Sequence, residues 1–255
     1  MSGTVIEIQT VQTEAASVRV LTLSSGRVNA LDVEVLGELT STIRELQNSD
    51  NSPLVITGAG RVFSAGVDLN RVVDGGRDYT DRLVPALSQA FDALFGFPWP
   101  TVAAINGAAI AGGCVLACAC DRRLISPDAG IGAAEVRVGV AFPVAALEVM
   151  RHACGDRAEE VLLGARTYKG VEAIARGLAH RVVADDVVDA AIGEAAELGA
   201  LPADAYRDTK IQLRAPTVAR IRRGETIDAG VRQLWGADET QQRIAGYVEG
   251  LKRRD

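Results

Sequence analysis

The segment from Ala104 to Cys114 constrains the fold more than any other part of the sequence. It reads Ala-Ile-Asn-Gly-Ala-Ala-Ile-Ala-Gly-Gly-Cys and continues into an apolar run that ends at Asp121. Residues 101–105 predict a strand, Asn106-Gly107 a turn, and Gly112-Gly113 the start of a helix. Because N–H groups at a helix start lack acceptors within the helix, this segment predicts a binding place for negatively charged oxygen.

A second segment of small residues has the same character. Residues 58–69, Gly-Ala-Gly-Arg-Val-Phe-Ser-Ala-Gly-Val-Asp-Leu, follow a strand predicted over 54–57 and lead into a short helix predicted over 68–73. Small residues let the backbone approach a ligand closely. We therefore expect N–H groups from the two turns to converge on one oxygen, as in an oxyanion hole, whose fixed donors stabilise charge in a transition state.

Strand, turn and helix units repeat along much of the chain. Further strands are predicted over 5–9, 18–23, 122–126 and 130–133, with a helix capped by Asp32 and another over 83–95. Since hairpin signals are absent between these units, the pattern predicts parallel β–β–α repeats wound as a spiral. The polar residues 74–81 predict a mobile wall beside the site, and helices are expected from residue 144 onward.

Charge and cysteine content narrow the classes of function. The formal net charge of −6 argues against nucleic acid or an anionic membrane as the main partner. The sequence has neither an apolar stretch typical of a signal peptide nor one that could span a membrane, so we expect a cytoplasmic protein. Cys114, Cys118 and Cys120 are typical of reduced core residues, and the separation of His152 from His180 gives no support for a metal site.

Four short motifs stand in the order and spacing of one enzyme family. They are Asn29-Ala30-Leu31-Asp32, Phe63 to Leu69, Asn106-Gly107 to Gly112-Gly113-Cys114, and Gly132-Ala133-Ala134-Glu135. Each motif alone is a weak signal, but four in register are specific. Over residues 5–185 the chain therefore resembles the enoyl-CoA hydratase/isomerase, or crotonase, superfamily.

The resemblance implies an α/β fold, a crotonase-like spiral of repeated β-β-α units with a C-terminal helical region. It implies a spiral core over residues 1–198 and a trimerisation region over 199–255, assembled as a homotrimer or a dimer of trimers. The implied substrate is an acyl-CoA thioester of fatty acid metabolism. Coenzyme A is then part of the substrate, and no separate cofactor or metal is expected.

Hydratases of this superfamily use two glutamates, and the resemblance implies that this chain keeps one. Aligned on Gly112-Gly113-Cys114, the first position is Val115; aligned on Gly132, the second is Glu135. Hydration needs carboxylates that hold and deprotonate a water, whereas one carboxyl can move a proton between two carbons of a stabilised enolate. The chain therefore resembles most closely the Δ3,Δ2-enoyl-CoA isomerase branch.

The resemblance also assigns roles to individual residues. Glu135 is expected to be catalytic, and the amides of Val67 and Gly112 are expected to form the oxyanion hole. We expect apolar neighbours at Val115, Val136 and Phe142 to raise the pKa of Glu135. The expected substrate-binding residues are Ala30, Ala65, Gly66, Asp68, Leu69 and Phe142.

Other interpretations stay open at the level of sequence. Glu135 could be only a helix cap or an ion-pair partner of Arg137. The position of Asp68 before a predicted helix favours a role as a helix cap over a role as a catalytic acid. Candidate second acids remain in the polar wall, at Asp74, Asp78 and Asp81. A serine hydrolase is disfavoured because Val62 replaces the first glycine of the G-x-S-x-G motif around Ser64.

Two functional alternatives also stay open. The chain could be an enoyl-CoA hydratase, or run another enolate reaction of the crotonase type. It could also be a non-catalytic acyl-CoA-binding protein, since oxyanion donors bind a thioester even when Glu135 is idle.

Overall fold

The computed structural model describes residues 5–253, except for the side chain of Glu225. Its strands are β1 (Ile6–Gln12), β2 (Ser17–Leu23), β3 (Leu54–Gly58), β4 (Val62–Ser64), β5 (Thr101–Ile105), β6 (Ala108–Ile110), β7 (Arg122–Ile125), β8 (Gly130–Gly132), β9 (Tyr168–Lys169) and β10 (Arg181–Val182). Its α-helices are α1 (Val33–Ser49), α2 (Leu69–Phe95), α3 (Gly112–Ala119), α4 (Glu135–Val138), α5 (Val144–Cys154), α6 (Ala158–Gly164), α7 (Gly170–Ile174), α8 (Val187–Gly199), α9 (Ala203–Arg223), α10 (Glu225–Trp235) and α11 (Asp238–Lys252).

The strands form two sheets, and the chain alternates between them. The larger sheet has the order β1-β2-β3-β5-β7-β10, and the smaller has the order β4-β6-β8-β9. Three successive units, β3-β4-α2, β5-β6-α3 and β7-β8-α4, each place one strand in each sheet before a helix. Strands from successive units pair in parallel in both sheets, which confirms the predicted spiral of β-β-α repeats.

The first two strands depart from the predicted parallel pattern. β1 extends to Gln12, and β1 and β2 pair antiparallel over their whole length as a hairpin. The loop between them is closed by Thr13, whose amide donates to the carbonyl of Ala16 at 3.1 Å and whose hydroxyl accepts from the amide of Ala16 at 3.0 Å. A threonine replaces the glycine or asparagine of a common hairpin turn, so the prediction missed the hairpin.

Side chains cover both faces of the large sheet. One face packs on the main core, with Leu21, Leu23 and Ile56 fully or almost fully buried. The other face packs on α8 through residues that include Val18, Val55 and Val102. Parallel strands buried on both faces are nearly continuous apolar runs, as observed for β3 and β5.

The polar wall predicted at 74–81 is part of a helix. α2 spans 27 residues as two helical segments joined by a kink at Gly76, whose φ of 53° and ψ of −141° are not helical. Asp68 caps its start by accepting from the amides of Asn70 and Arg71. The buried side chains of Val72 and Tyr79 hold this part of the helix against the core, which outweighs its weak helix propensity.

The C-terminal helices contribute to the core of the same chain. The core includes Val231 and Trp235 from α10 and Ile244 and Val248 from α11. The division at residues 198 and 199, and the trimerisation role of the second region, stay predictions; residues 1–4 and 254–255 lie outside the described residues. Between residues 5 and 253 no helix is both long and apolar enough to cross a membrane.

Candidate active site

A cavity of about 500 Å³ lies where the two glycine-rich turns meet α4 and the C-terminal helices. Ala65 and Val67 follow β4, and Ala111 and Gly112 begin α3. Seven of the site residues expected from the sequence line this cavity: Ala30, Ala65, Val67, Asp68, Leu69, Gly112 and Glu135. The structure therefore brings together most of the residues that the sequence singled out.

The backbone around Val67 is fixed by a single parallel bridge to Leu31. The amide of Leu31 donates to the carbonyl of Gly66 at 2.8 Å, and the amide of Asp68 donates to the carbonyl of Leu31 at 3.0 Å. In such a bridge the residue between the two bonded groups directs its own N–H to the opposite side. The Val67 amide therefore faces away from Leu31 and has no protein acceptor within the described residues.

Gly66 allows the two turns to touch, although it is not itself on the cavity wall. Its φ of 84° is rarely adopted by other residues. A side-chain carbon placed on it would lie 2.7 Å from the carbonyl oxygen of Ile110 and 3.1 Å from the amide nitrogen of Gly112. The contact brings the backbone before Val67 against the first turn of α3.

The start of α3 is shaped by Ala111. This residue has φ 51° and ψ −121°, an unfavourable conformation for a residue with a side chain, and its amide donates to the carbonyl of Gly132 at 2.8 Å. Gly112 is the first helical residue, so its N–H has no acceptor within the helix. The positive end of the helix dipole adds to the attraction for a negatively charged oxygen at this place.

Glu135 begins α4, and 8% of its surface is exposed. Its Oε2 atom is buried and has no hydrogen-bond partner in the described part of the chain. Burial raises the pKa of this carboxyl to about 7, against the opposing effect of the backbone amides of Glu135 and Ala134. A carboxyl of this kind exchanges a proton readily near neutral pH.

The apolar environment of Glu135 differs from the expected one. Val115 is fully buried, but Val136 is 45% exposed, because α4 directs it to solvent. Phe142 is partly buried against the core and does not line this cavity, and its expected contact with the substrate stays a prediction. Near Glu135, the apolar wall is formed instead by Val138, Val140 and Pro143.

The geometry argues against an ion pair of Glu135 with Arg137 and against Ser64 as a nucleophile, whereas Glu135 does lie in the first turn of α4, as the helix-cap interpretation requires. Arg137 donates through its guanidinium to the carbonyl of Ala165, and no ion pair joins it to Glu135 among the described residues. Ser64 is fully buried; its hydroxyl donates to the carbonyl of Asn29 at 2.7 Å and accepts from the amide of Gly66 at 3.2 Å. Ser64 thus braces the turn and is inaccessible to a substrate.

The candidate second acids lie elsewhere. Asp74, Asp78 and Asp81 are exposed on α2 and are absent from the cavity wall. Asp68 does line the cavity, but its carboxyl caps α2. Among the described residues, no group of three or more His, Cys, Asp or Glu side chains is placed to hold a metal ion.

Sequence reasoning missed the wall formed by distant helices. Leu87 and Phe91 come from α2, while Trp235, Tyr247 and Val248 come from α10 and α11. The indole N–H of Trp235 also donates to the carbonyl of Ala141 at 2.8 Å, which ties α10 to the turn after α4. The amphipathic pattern of α10 is a signal that could have predicted a buried face, but no local pattern shows which surface that face covers.

Comparison with known proteins finds enoyl-CoA hydratases and isomerases. The sequence profile of the family described as "Enoyl-CoA hydratase/isomerase" matches residues 13–254. The chain is 30% identical over 244 residues to human "Enoyl-CoA delta isomerase 1, mitochondrial", covering 93% of this chain and 81% of the human one. It is 32% identical over 226 residues to a "Probable enoyl-CoA hydratase" of Mycobacterium bovis, covering 87% of each.

A solved structure is similar over nearly the whole fold. The crystal structure of human mitochondrial delta3-delta2-enoyl-CoA isomerase superposes with a TM-score of 0.90 at 27% identity, covering 97% of this chain and 99% of the human chain.

Proposed function

The chain belongs to the enoyl-CoA hydratase/isomerase family, the crotonase superfamily, near the enoyl-CoA delta isomerase branch, and we propose that it converts a 3-enoyl-CoA into the 2-trans-enoyl-CoA. The observation that carries this proposal is that Glu135 is a buried carboxyl with an unpartnered oxygen and a raised pKa. Two acids line the cavity within the described residues, and Asp68 is engaged as a helix cap. Glu135 is then the one carboxyl that is left to exchange a proton.

In the proposed reaction, the thioester oxygen accepts hydrogen bonds from the amides of Val67 and Gly112. The ionised carboxylate of Glu135 takes a proton from C2, and the electrons of that C–H bond form a dienolate whose charge lies on the thioester oxygen. The same carboxyl then returns the proton to C4, and the double bond moves to C2–C3. Each oxyanion donor contributes about 3 kcal/mol to transition-state stability.

The surrounding residues support this assignment. The cavity wall is mainly apolar, which suits an acyl chain and keeps bulk water from the dienolate. Lys252 is the one cation on that wall among the described residues, and we assign it to the phosphates of coenzyme A. An acidic protein needs such a local positive charge to hold a polyanionic substrate.

The second candidate function is hydration of a 2-trans-enoyl-CoA. It is favoured by the similarity to the Mycobacterium bovis relative, which bears a hydratase name and is as similar in sequence as the isomerase relative. The fully buried Val115 argues against it, because that position offers no carboxyl to hold or deprotonate a water.

The decisive experiment supplies 3-trans-hexenoyl-CoA and follows the absorbance of the conjugated enoyl thioester. We expect turnover by the wild type and a loss of about a hundredfold to ten-thousandfold in Glu135→Gln, with binding of the CoA ester retained. Glu159→Gln, which changes an exposed glutamate of α6, is the matched control and should keep wild-type activity.

Two results would contradict the isomerase proposal. Rapid formation of 3-hydroxyacyl-CoA from a 2-trans-enoyl-CoA, without isomerisation, would assign a hydratase. Tight binding of both CoA esters with no product from either would assign a non-catalytic acyl-CoA-binding protein.

A further inference from the structure

A second cavity, of about 620 Å³, is lined by cationic side chains and histidines. It lies between α9, the C-terminal end of α5 and the start of β7, and it shares no residue with the wall of the active-site cavity. Three of its cationic side chains, Arg123, Lys210 and Arg214, are each at least nine-tenths buried. Both histidines of the chain, His152 and His180, also line it.

One carboxylate lines this cavity among the described residues, and its oxygens are already occupied. Asp121 accepts through Oδ1 from Arg214 at 2.7 Å. Through Oδ2 it accepts from Lys210 at 2.7 Å and from the hydroxyl of Tyr206 at 3.0 Å. The amide and hydroxyl of Thr101 donate to the same Oδ2 at 2.8 and 3.0 Å. Oδ2 of Asp121 is therefore fully engaged, Oδ1 is held by Arg214, and neither oxygen accepts from Arg123 or His180, the other donors of the cavity.

Two of these donors face each other with no acceptor between them. His180 accepts through Nδ1 from the amide of Arg123 at 3.0 Å, so in the neutral ring Nε2 carries the hydrogen. The Nη2 group of Arg123, which can only donate, lies 3.2 Å from that Nε2 atom. An acceptor atom placed beside both groups would satisfy both donors.

Arg123 has a further donor without a partner. Its Nη1 donates to the carbonyl of Cys120 at 2.9 Å and its Nη2 to the carbonyl of Gly177 at 3.2 Å. Its Nε atom is buried and has no hydrogen-bond partner among the described residues. An unpaired donor on a buried guanidinium is costly, because its hydration is lost without replacement.

We propose that this second cavity binds a small oxyanion of the phosphate or carboxylate class. Three cations against one engaged carboxylate leave an excess of positive charge. An oxyanion carries several acceptor atoms and negative charge, so it can join the facing donors of His180 and Arg123 and balance that excess. The site is independent of the proposed isomerase reaction.

The experiment titrates inorganic phosphate into the full-length protein at constant ionic strength, with sodium chloride as the balancing salt. Binding is measured by calorimetry and by the nitrogen resonances of isotope-labelled histidine. Because the chain has two histidines and both line the cavity, every histidine signal reports on this site. We expect a saturable heat and a saturable shift of the His180 resonances with the same affinity.

Two substitutions at the cavity test where the anion binds. Leu213 lines the cavity and is 69% exposed, so Leu213→Glu places a negative charge there without disturbing the core. We expect it to weaken phosphate binding by at least about tenfold, whereas Leu213→Gln keeps wild-type binding. Leu163→Glu, at a 70% exposed leucine of α6 outside the cavity, adds the same charge and should also keep it.

His180→Asn is the second variant, because it keeps an acceptor near the position of Nδ1 and removes the Nε2 donor. We expect it to weaken phosphate binding as well. Sedimentation verifies that each variant keeps the wild-type assembly state. The proposal is overturned if phosphate gives no saturable signal beyond the chloride control, or if Leu213→Glu and His180→Asn bind phosphate as the wild type does.

Discussion

At the scale of single residues, the burial of Glu135 affects stability as well as chemistry. An ordinary glutamate with a pKa of 4.5 is fully ionised at neutral pH, whereas this one, with a pKa of about 7, is divided between both forms. The folded protein therefore holds a proton that the unfolded chain has already released. This difference makes the free energy of unfolding depend on pH.

We predict that Glu135 lowers the free energy of unfolding as the pH rises from 4.5 to about 7. The pKa is raised in the folded state, so the folded protein binds more protons than the unfolded chain in this interval, and the loss levels off above it. It amounts to about 3 kcal/mol. Glu135→Gln should match the wild type near pH 4 and be more stable above about pH 8.

Denaturant unfolding at a series of pH values measures this effect. Glu159→Gln, at an exposed position, should follow the wild-type curve at every pH. Parallel curves for Glu135→Gln and the wild type would show that Glu135 ionises normally in the folded protein.

Gly66 and Gly60 offer a matched test of the contact between the two turns. Both have a positive φ, of 84° and 70°, but a side chain on Gly60 would meet nothing within 4 Å, whereas one on Gly66 would meet the carbonyl of Ile110 at 2.7 Å. We predict that Gly66→Ala lowers the free energy of unfolding by about 2 to 4 kcal/mol and reduces the proposed isomerase activity at least about tenfold.

Gly60→Ala should lower the free energy of unfolding by about 1 kcal/mol and leave the activity near that of the wild type. Thermal unfolding and the hexenoyl-CoA assay measure both variants. Equal activities for the two variants would show that the position of Val67 relative to α3 does not affect the reaction.

At the scale of secondary-structure elements, α10 holds the segment that follows α4. Asp228 of α10 accepts from the amide of Val144 at 2.7 Å, and Trp235 donates to the carbonyl of Ala141 at 2.8 Å. The two bonds fix residues 141–144, the end of the loop after α4 and the first residue of α5. The apolar wall beside Glu135 therefore depends on a helix almost a hundred residues further along the chain.

We predict that Trp235→Phe lowers the free energy of unfolding more than Trp99→Phe does, by about 1 to 3 kcal/mol. The two substitutions remove the same atoms, but the indole N–H of Trp235 has an acceptor, while that of Trp99 is buried without one among the described residues. Circular dichroism during denaturant unfolding measures the difference. Equal losses would show that the bond to Ala141 adds nothing to stability.

Elements with local signals were predicted well. Asp32 and Asp68 each accept from amides of the following turn, and each marks the start of a helix as the sequence indicated. The antiparallel start and the helical residues 74–81 were missed. Long-range pairing and the burial of Val72 and Tyr79 decide these two regions, and neither leaves a local signature.

At the scale of the whole molecule, the site was predictable only in part. The two turns and Glu135 lie within motifs that the sequence displays. The substrate contact of Phe142, expected from the resemblance and from its bulk, stays a prediction, whereas Trp235, Tyr247 and other distant residues of the cavity wall had no local signal. Which helix closes a cavity depends on how the complete chain packs.

The oligomeric state is a further prediction at this scale. Several large apolar side chains are exposed on the C-terminal helices, including Ile211 at 56% and Ile227 at 60%. Burying them between subunits would remove apolar surface from water. We predict a homotrimer of about 80 kDa, or its dimer, from a chain of 26.8 kDa, measured by sedimentation equilibrium. A single species at the mass of one chain would contradict it.

The burial of every thiol in the chain has a practical consequence. Cys114, Cys118 and Cys120 are at most 1% exposed, and Cys154 is 6% exposed. A small alkylating reagent can therefore modify these thiols only when the surrounding structure opens transiently, so the labelling rate of each cysteine measures how often its surroundings open. Cys154, at the end of α5, would be modified first, and the three thiols in and next to α3 would be modified only when the core unfolds.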